Sequence, residues 1–342
     1  MEIEKLIENM PKIELHVHLE GSVRTEILLS LAAKNNILLP ASTVEELNEW
    51  YLFKDFNHFI EVYFKISECI CSVDDIEMIT REFLRGQAQQ NIIYSEITYT
   101  AYTHYLQKSI SFADQIGALE RAKNWGEKEL AISCNFILDI ARNVTAQVGL
   151  QNVRWIKEVN SDAVVGLGLG GPEAGYPPEL HEAAFKEIAG TKLKPVPHAG
   201  ETVGPESVWG AIKYLHAFRI GHGIRSIEDP ALIRYLRDNK IVLEICPTSN
   251  ICLGIYPGLE MHPLPLLVDE DLLVTINSDD PPMFNTSLTM EYKKIARQFN
   301  FTGTDFYRFN KTALENSLMN QTDYEFISNK FEKEWAIINS IS

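Results

Sequence analysis

The stretch IELHVHLEGS, residues 13–22, places His16 and His18 two apart in a run that otherwise reads as a buried strand. Side chains alternate across a strand, so both imidazoles share one face while Leu15, Val17 and Leu19 take the other. Two neutral nitrogens converging on one point suit a metal, and equally suit a hydrogen-bonded pair at a strand end. Two ligands hold a metal weakly, so the rest of the chain has to supply the others.

Comparable β-rich runs recur outward from this one: KIELHVH near 12, IIYSEITY near 92, ISCNFILD near 132, AVVGLGL near 163, LKPVPHA near 193, FRIGHG near 218, IVLEIC near 241 and LLVTINSD near 272. Between most of them lie segments of helical period, such as SFADQIGALERAKNWGEKELA, TAQVGLQNVRWIKEVN, PELHEAAFKEIAG and PESVWGAIKYLH. Strand alternating with helix implies parallel strands joined by crossovers. Eight such units predict an α/β chain folded as a closed (β/α)₈ TIM barrel, not an open doubly wound sheet. The open sheet also lacks its glycine-rich phosphate turn, because GLGLGG at 166–171 runs into PEAGYPP and not into a helix. Residues 21–90 form a long helical insertion after the first strand, expected over the strand C-termini where it can cap a ligand. The tail after 285 reads as extra C-terminal helices. With no repeat, low-complexity stretch or linker, residues 1–342 are expected to form a single domain.

The 45% hydrophobic and 23% charged content is that of a soluble globular protein with a full core. A formal net charge of -16 sets a nucleic-acid backbone or an anionic membrane aside as partners, since both are repelled at long range. The opening MEIEKLIENMPKIE has no basic region followed by an apolar run, and no segment reaches the roughly 18 apolar residues of a membrane helix. A cytoplasmic location is therefore expected, with the oligomeric state open. The five cysteines are odd in number and form no C-x-x-C pair, so they read as reduced thiols, with Cys246 packed behind IVLEI.

Polar residues gather at the ends of these runs: His16 and His18 at the first, His198 in PVPHAGE at the fifth, His222 in RIGHG at the sixth, and Asp279 with Asp280 in TINSDDP at the eighth. In a (β/α)₈ barrel these positions ring one mouth. Three imidazoles and a carboxylate suit a divalent ion of the zinc type with one position left for water. Singly, His198 or His222 reads as a loop or core histidine, Asp279 and Asp280 as a turn before Pro281, and Glu201 as an acid in a helix's first turn. Together they read as one site. His58, His104, His181, His216 and His262 follow no such placement and read as surface or structural.

The ordered set ELHVHLEGS, HAGE, RIGHG, CPTSN and NSDDP resembles the adenosine deaminase family of zinc amidohydrolases over nearly the whole chain. The resemblance implies one zinc ion held by His16, His18, His198 and Asp279. It implies further that Glu201 serves the purine N1, His222 contacts the attacking water, Asp280 contacts N7, and the backbone of Gly171 meets N3. Catalysis then falls to Glu201, His222 and Asp279, and substrate binding to Glu20, Gly171 and Asp280. Zinc lowers the pKa of bound water toward about 7. Addition at C6 makes N1 basic, so Glu201 has to be protonated when it donates, which requires a raised pKa in a dry pocket. AVVGLGLGG contains no lysine, the bridging residue of two-metal amidohydrolases, and the H-x-E with P-C-x-x-C pattern of the other zinc deaminases is absent.

Two departures bear on the substrate. Adenosine deaminases carry aspartate in HLDG, where it reaches a ribose hydroxyl, whereas this chain has Glu20 in HLEG. The second is Gly171-Pro172-Glu173, where adenosine deaminases have G-D-E and adenine deaminases S-S-E. The expected reaction is deamination of a 6-aminopurine nucleoside, adenosine or deoxyadenosine, to inosine or deoxyinosine and ammonia. The GGPE form resembles that of bacterial relatives acting on modified adenine nucleosides, 6-aminodeoxyfutalosine among them; that compound or adenine is the alternative substrate, and a noncatalytic zinc-binding module is the reading from another class. Phe56, Phe59, Tyr63 and Phe64 pack either on a sugar or in the core. Arg142, in DIARN, meets either a substrate anion or a surface carboxylate.

Overall fold

Each of the eight runs becomes a strand: β1 (Lys12–His18), β2 (Ile92–Tyr99), β3 (Ser133–Ala141), β4 (Val164–Gly170), β5 (Lys194–Ala199), β6 (Arg219–His222), β7 (Val242–Ile245) and β8 (Val274–Ile276). The structure, a computed structural model, describes residues 3–52 and 56–340, without the side chains of 56, 57, 339 and 340. Strands pair in chain order, every pair parallel. The ring closes through a parallel bridge between Val17 and Asp279. There His18 N–H donates to the Asp279 carbonyl at 2.9 Å and Asp279 N–H donates to the His16 carbonyl at 3.2 Å. The expected (β/α)₈ barrel is the observed one.

β8 has only three residues, too few to satisfy the facing edge of β1, and buried N–H groups need partners. Two side chains supply them. Asn277 Oδ1 accepts from the N–H of Leu15 at 2.9 Å and of His16 at 3.1 Å, and Asn310 Oδ1 accepts from Ile13 N–H at 2.9 Å. Asn310 comes from a helix, Gly303–Glu315, that sequence periodicity did not single out and that packs across β1 and β8.

GLGLGG is strand and not turn. A Cβ on Gly166 would stand 3.0 Å from Ile137 Cγ1, and one on Gly168 would stand 2.9 Å from Asp139 Cβ, so the glycines of β4 make room for the larger side chains of β3. The insertion folds as helices Thr25–Asn35, Val44–Tyr51, Phe56–Cys69 and Val73–Ala88, with the Thr43 and Ser72 hydroxyls capping the second and fourth. Helices Leu288–Phe299 and Gln321–Ser340 match the expected closing segments. PELHEAAFKEIAG is less regular than its period suggests: a 3₁₀ turn, Pro178–His181, precedes a short helix, Glu182–Glu187. The break falls at His181, whose ring turns inward so that Nε2 donates to the Arg142 carbonyl at 3.0 Å. Among the described residues no helix is long and apolar enough to cross a membrane.

Replacing Asn277 by alanine strands two buried N–H groups at the seam, and the expected loss of stability in urea denaturation is about 1–3 kcal/mol for each unsatisfied donor. An Asn277→Ala protein as stable as its parent would mean that the seam is held by other contacts.

Candidate active site

His16, His18, His198 and Asp279 present ligand atoms that all lie within 4.8 Å of one another, and all four residues are buried. His18 Nε2 and His198 Nε2 stand 3.1 Å apart, Asp279 Oδ1 lies 3.4 Å from His16 Nε2 and 3.3 Å from His18 Nε2, and His16 Nε2 has no hydrogen-bond partner. Nitrogen lone pairs aimed at one point repel unless positive charge lies between them. The local field supplies the same demand. Burial pushes His16 down, but the carboxylates of Asp279 and Glu244 outweigh it and raise the ring to about 10. Burial likewise opposes a positive His18, and Asp280 with Asp279 raises it to about 9. Three nitrogens and one carboxylate oxygen in a buried, cation-favouring cluster fit a divalent metal.

Support behind these groups comes from residues the sequence reading passed over. Glu244 Oε2 accepts from His16 Nδ1 at 3.0 Å, which leaves Nε2 bare toward the cluster. Glu244 Oε1 accepts from Arg219 Nε at 2.6 Å, and Arg219 reaches on to Glu96 and to the Asn316 carbonyl. All three charged side chains are buried. The signal was present: each is a charge inside an apolar strand run, and such a charge needs a partner. Two motif glycines make room for the site. A Cβ on Gly221 would stand 2.7 Å from His16 Cε1, and one on Gly21 would overlap the Asp280 carboxylate at 1.6 Å. His222 and Asp279 adopt left-handed backbone, φ 61° and 63°, a conformation uncommon outside glycine and concentrated at functional positions.

Glu173, the residue of GGPE that the G-D-E and S-S-E patterns share, positions Glu201. Its carboxylate accepts from the N–H groups of Gly200 at 2.8 Å, Glu201 at 3.0 Å, Thr202 at 2.6 Å and Val203 at 2.9 Å, and from the Ser207 hydroxyl at 2.6 Å. Glu201 Oε1 is then held 3.5 Å from His222 Nε2. Burial, reinforced by the charges of Asp279 and Glu173, raises Glu201 well above the usual carboxylate range. Asp280 is raised by burial and by Asp279. Asp279 goes the other way: against burial, the imidazoles of His16 and His18 hold it well below the usual range. Burial and charge thus push neighbouring carboxyls in opposite directions, Asp279 toward the anion and Glu201 and Asp280 toward the neutral acid.

The proton on His222 can be placed from a chain of hydrogen bonds. Leu264 N–H, which can only donate, points at His262 Nδ1 at 3.1 Å, so the proton of that neutral ring sits on Nε2. His262 Nε2 faces Asn250 Oδ1 at 3.1 Å, which turns the Asn250 amide toward His222 Nδ1 at 3.3 Å. His222 Nδ1 is therefore the acceptor and Nε2 carries the hydrogen. Burial holds both rings at about 4, so both stay neutral near pH 7.

His18, His198, His222, Glu201, Asp279, Asp280 and Gly171 line one cavity, together with Phe59, Tyr63 and Phe64 of the insertion. The Phe56 side chain lies outside the described residues. Glu20 is fully buried and does not line the cavity; its carboxylate accepts from Thr100 N–H at 3.0 Å, His104 Nε2 at 3.1 Å and the Tyr63 hydroxyl at 3.3 Å. Arg142 meets neither a substrate anion nor a surface acid. It is wholly buried and donates to the carbonyls of His198 and Tyr176, because the β5 end and the 171–177 loop both need donors there. His104, His181 and His262 are structural and buried. Cys246 is a buried thiol that burial pushes up, in keeping with packing.

A family model described as adenosine deaminase matches residues 11–334. The chain belongs to the adenosine deaminase family. It is 36% identical over 320 residues to an aminodeoxyfutalosine deaminase of Streptomyces avermitilis, covering 93% of this chain and 89% of that one. It is 33% identical over 320 residues to an adenine deaminase of Crocosphaera subtropica, covering 94% and 98%. The crystal structure of an adenine deaminase from Arthrobacter aurescens superposes with a TM-score of 0.90 at 26% identity, over 95% of this chain and 98% of that one. As a member of the adenosine deaminase family, the chain is an enzyme that hydrolyses an amino group from its substrate.

Histidine-selective ¹⁵N NMR is expected to find the His222 proton on Nε2, and Asn250→Ala to let it redistribute between the two nitrogens. A His222 protonated on Nδ1 in the parent would contradict the chain of donors from Leu264.

Proposed function

We propose that the protein releases ammonia from C6 of a 6-aminopurine held between Glu201 and Asp280, and that the substrate is a nucleoside of the 6-aminodeoxyfutalosine type. The observation that carries this reading is a pair of buried cavity carboxyls, Glu201 and Asp280, that burial pushes toward the neutral form beside a three-histidine, one-aspartate cluster. A zinc ion held by His16, His18, His198 and Asp279 supplies the Lewis acidity that makes water nucleophilic near neutral pH. Glu201 gives its proton to N1 as C6 turns tetrahedral, which N1 needs because addition makes it basic. Asp280, also protonated, donates to N7. The Gly171 backbone faces N3. His222, with its hydrogen on Nε2, donates to the incoming oxygen and orients it, which leaves Asp279 to accept the water's proton and pass it to the C6 amino nitrogen, so that ammonia leaves as the C6–N bond breaks.

The substrate assignment reverses the first expectation of adenosine or deoxyadenosine. The relative at 36% identity bears the aminodeoxyfutalosine name. Glu20, in the place of a ribose-binding aspartate, is committed to protein donors. That commitment also favours a second reading, free adenine, which makes no demand on a sugar-binding acid. In either case the barrel acts as one catalytic domain in the cytoplasm, a setting that suits its five free cysteines.

Ammonia release on 6-aminodeoxyfutalosine, adenine, adenosine, deoxyadenosine and AMP tests the assignment, with the highest kcat/KM expected for the first. Preference for adenosine would return the reading to ordinary nucleoside salvage, and metal content without turnover on any of them would favour a binding module. Glu201→Gln is expected to keep its metal and lose roughly 10²- to 10⁴-fold in kcat. Because only protonated Glu201 can donate to N1 and burial raises its pKa, kcat should fall as pH rises through that raised pKa. The residual activity of Glu201→Gln should lack this alkaline limb.

A further inference from the structure

Asp139, at the C-terminal part of β3, is the one acid among the described residues lining the cavity that the reaction leaves without a task. It lines the same cavity as Glu201, Asp279 and Asp280, is only 6% exposed, and its Oδ1 has no hydrogen-bond partner. The neighbouring strand is shaped around it. A Cβ on Gly168 would stand 2.9 Å from Asp139 Cβ, and one on Gly170 would stand 2.6 Å from Asp139 Oδ2 and 3.8 Å from His198 Cε1. Two glycines of β4 therefore clear space for a carboxylate beside the ligand cluster, where an apolar side chain would otherwise fill the barrel. A buried carboxylate oxygen without a donor is costly, and a protein keeps one where a ligand satisfies it.

Glu20 offers the contrast. It is the acid that the sequence puts forward for a substrate contact, yet both its oxygens are engaged by protein donors and it stands outside the cavity. The chemistry of the lining narrows what Asp139 can take. Among the described residues that line the cavity there are four acids and no lysine or arginine, so an anionic group at this position would find no guanidinium or ammonium to pair with.

We propose that Asp139 is the specificity-determining residue of the site and accepts a hydrogen bond from an uncharged donor of the substrate, a ring N–H or a sugar hydroxyl. The proposal rests on the 6-aminopurine reading for the identity of the ligand. With Glu201 and His222 after β5 and β6, and Asp279 and Asp280 after β8, the reacting edge of the purine faces that side of the barrel. β3 then faces the opposite edge, where the five-membered ring carries either its N9 hydrogen or a sugar.

The test is Asp139→Asn, which keeps shape and removes the negative acceptor, with metal content checked against the parent. Binding of hypoxanthine, 9-methylhypoxanthine, inosine and its 2′-, 3′- and 5′-deoxy analogues is measured by calorimetry, alongside kcat/KM on the matching 6-amino compounds. Loss of a hydrogen bond to a charged group is expected to weaken the donor-bearing ligand roughly 10- to 100-fold and to leave the analogue lacking that donor unchanged. A loss on hypoxanthine that vanishes on the 9-methyl compound identifies the ring N–H, and a loss that vanishes on one deoxynucleoside identifies that hydroxyl. Equal losses on every ligand, no loss on any, or a parent that binds none of them overturn the proposal. A parent that binds these ligands but releases no ammonia defeats the catalytic reading alone, because the binding comparison still reports on Asp139.

Discussion

The seam between β1 and the segment after β8 is the contact on which the rest depends. Hydrogen bonds between the backbone of Asp279 and that of His16 and His18 close the barrel, and the same three residues supply three of the four ligand atoms. Closure of the fold and assembly of the cluster are therefore one event. The shortness of β8 makes this possible: the chain leaves the sheet after Ile276, and the left-handed turn at Asp279 directs its carboxylate inward. Asn277 and Asn310 take up the β1 donors that a longer strand would have used.

Around that seam, burial and charge act together. A dry barrel mouth disfavours ionised carboxyls, so of Asp279, Glu201 and Asp280 the one held toward the anion is the one with imidazole partners, Asp279. Its charge then pushes Glu201 and Asp280 further toward the neutral form. On the other side of His16, Arg219 compensates Glu96 and Glu244, so the histidine is oriented by an acid that is itself neutralised. The same low dielectric that makes an unpaired group costly makes each of these pairings strong.

Much of this was legible in the primary structure. Eight apolar runs with helices between them specify a parallel barrel, and in such a barrel the residue after each run lies at one rim. Hence His16, His18, His198, His222, Asp279 and Asp280 could be grouped before any coordinates, and the cavity contains all but His16, which stands beside it in the cluster. Less legible were residues whose partners are remote. Arg142 looked like a surface cation because a sequence does not reveal that the carbonyls of His198 and Tyr176 lie beside it. His262 looked incidental because its link to His222 runs through Asn250 and a backbone N–H.

The amino-acid sequence by itself determined the strand and helix alternation, the family and the four residues that gather in the buried histidine–aspartate cluster, since these depend on period, order and spacing along the chain. Only the tertiary structure decided which acids hold protons, which nitrogen of His222 carries its hydrogen, that Glu20 is occupied and that Asp139 is not. Those properties depend on desolvation and on distances between segments up to hundreds of residues apart. No local pattern encodes them, because a carboxyl's state is set by what surrounds it after the barrel has closed.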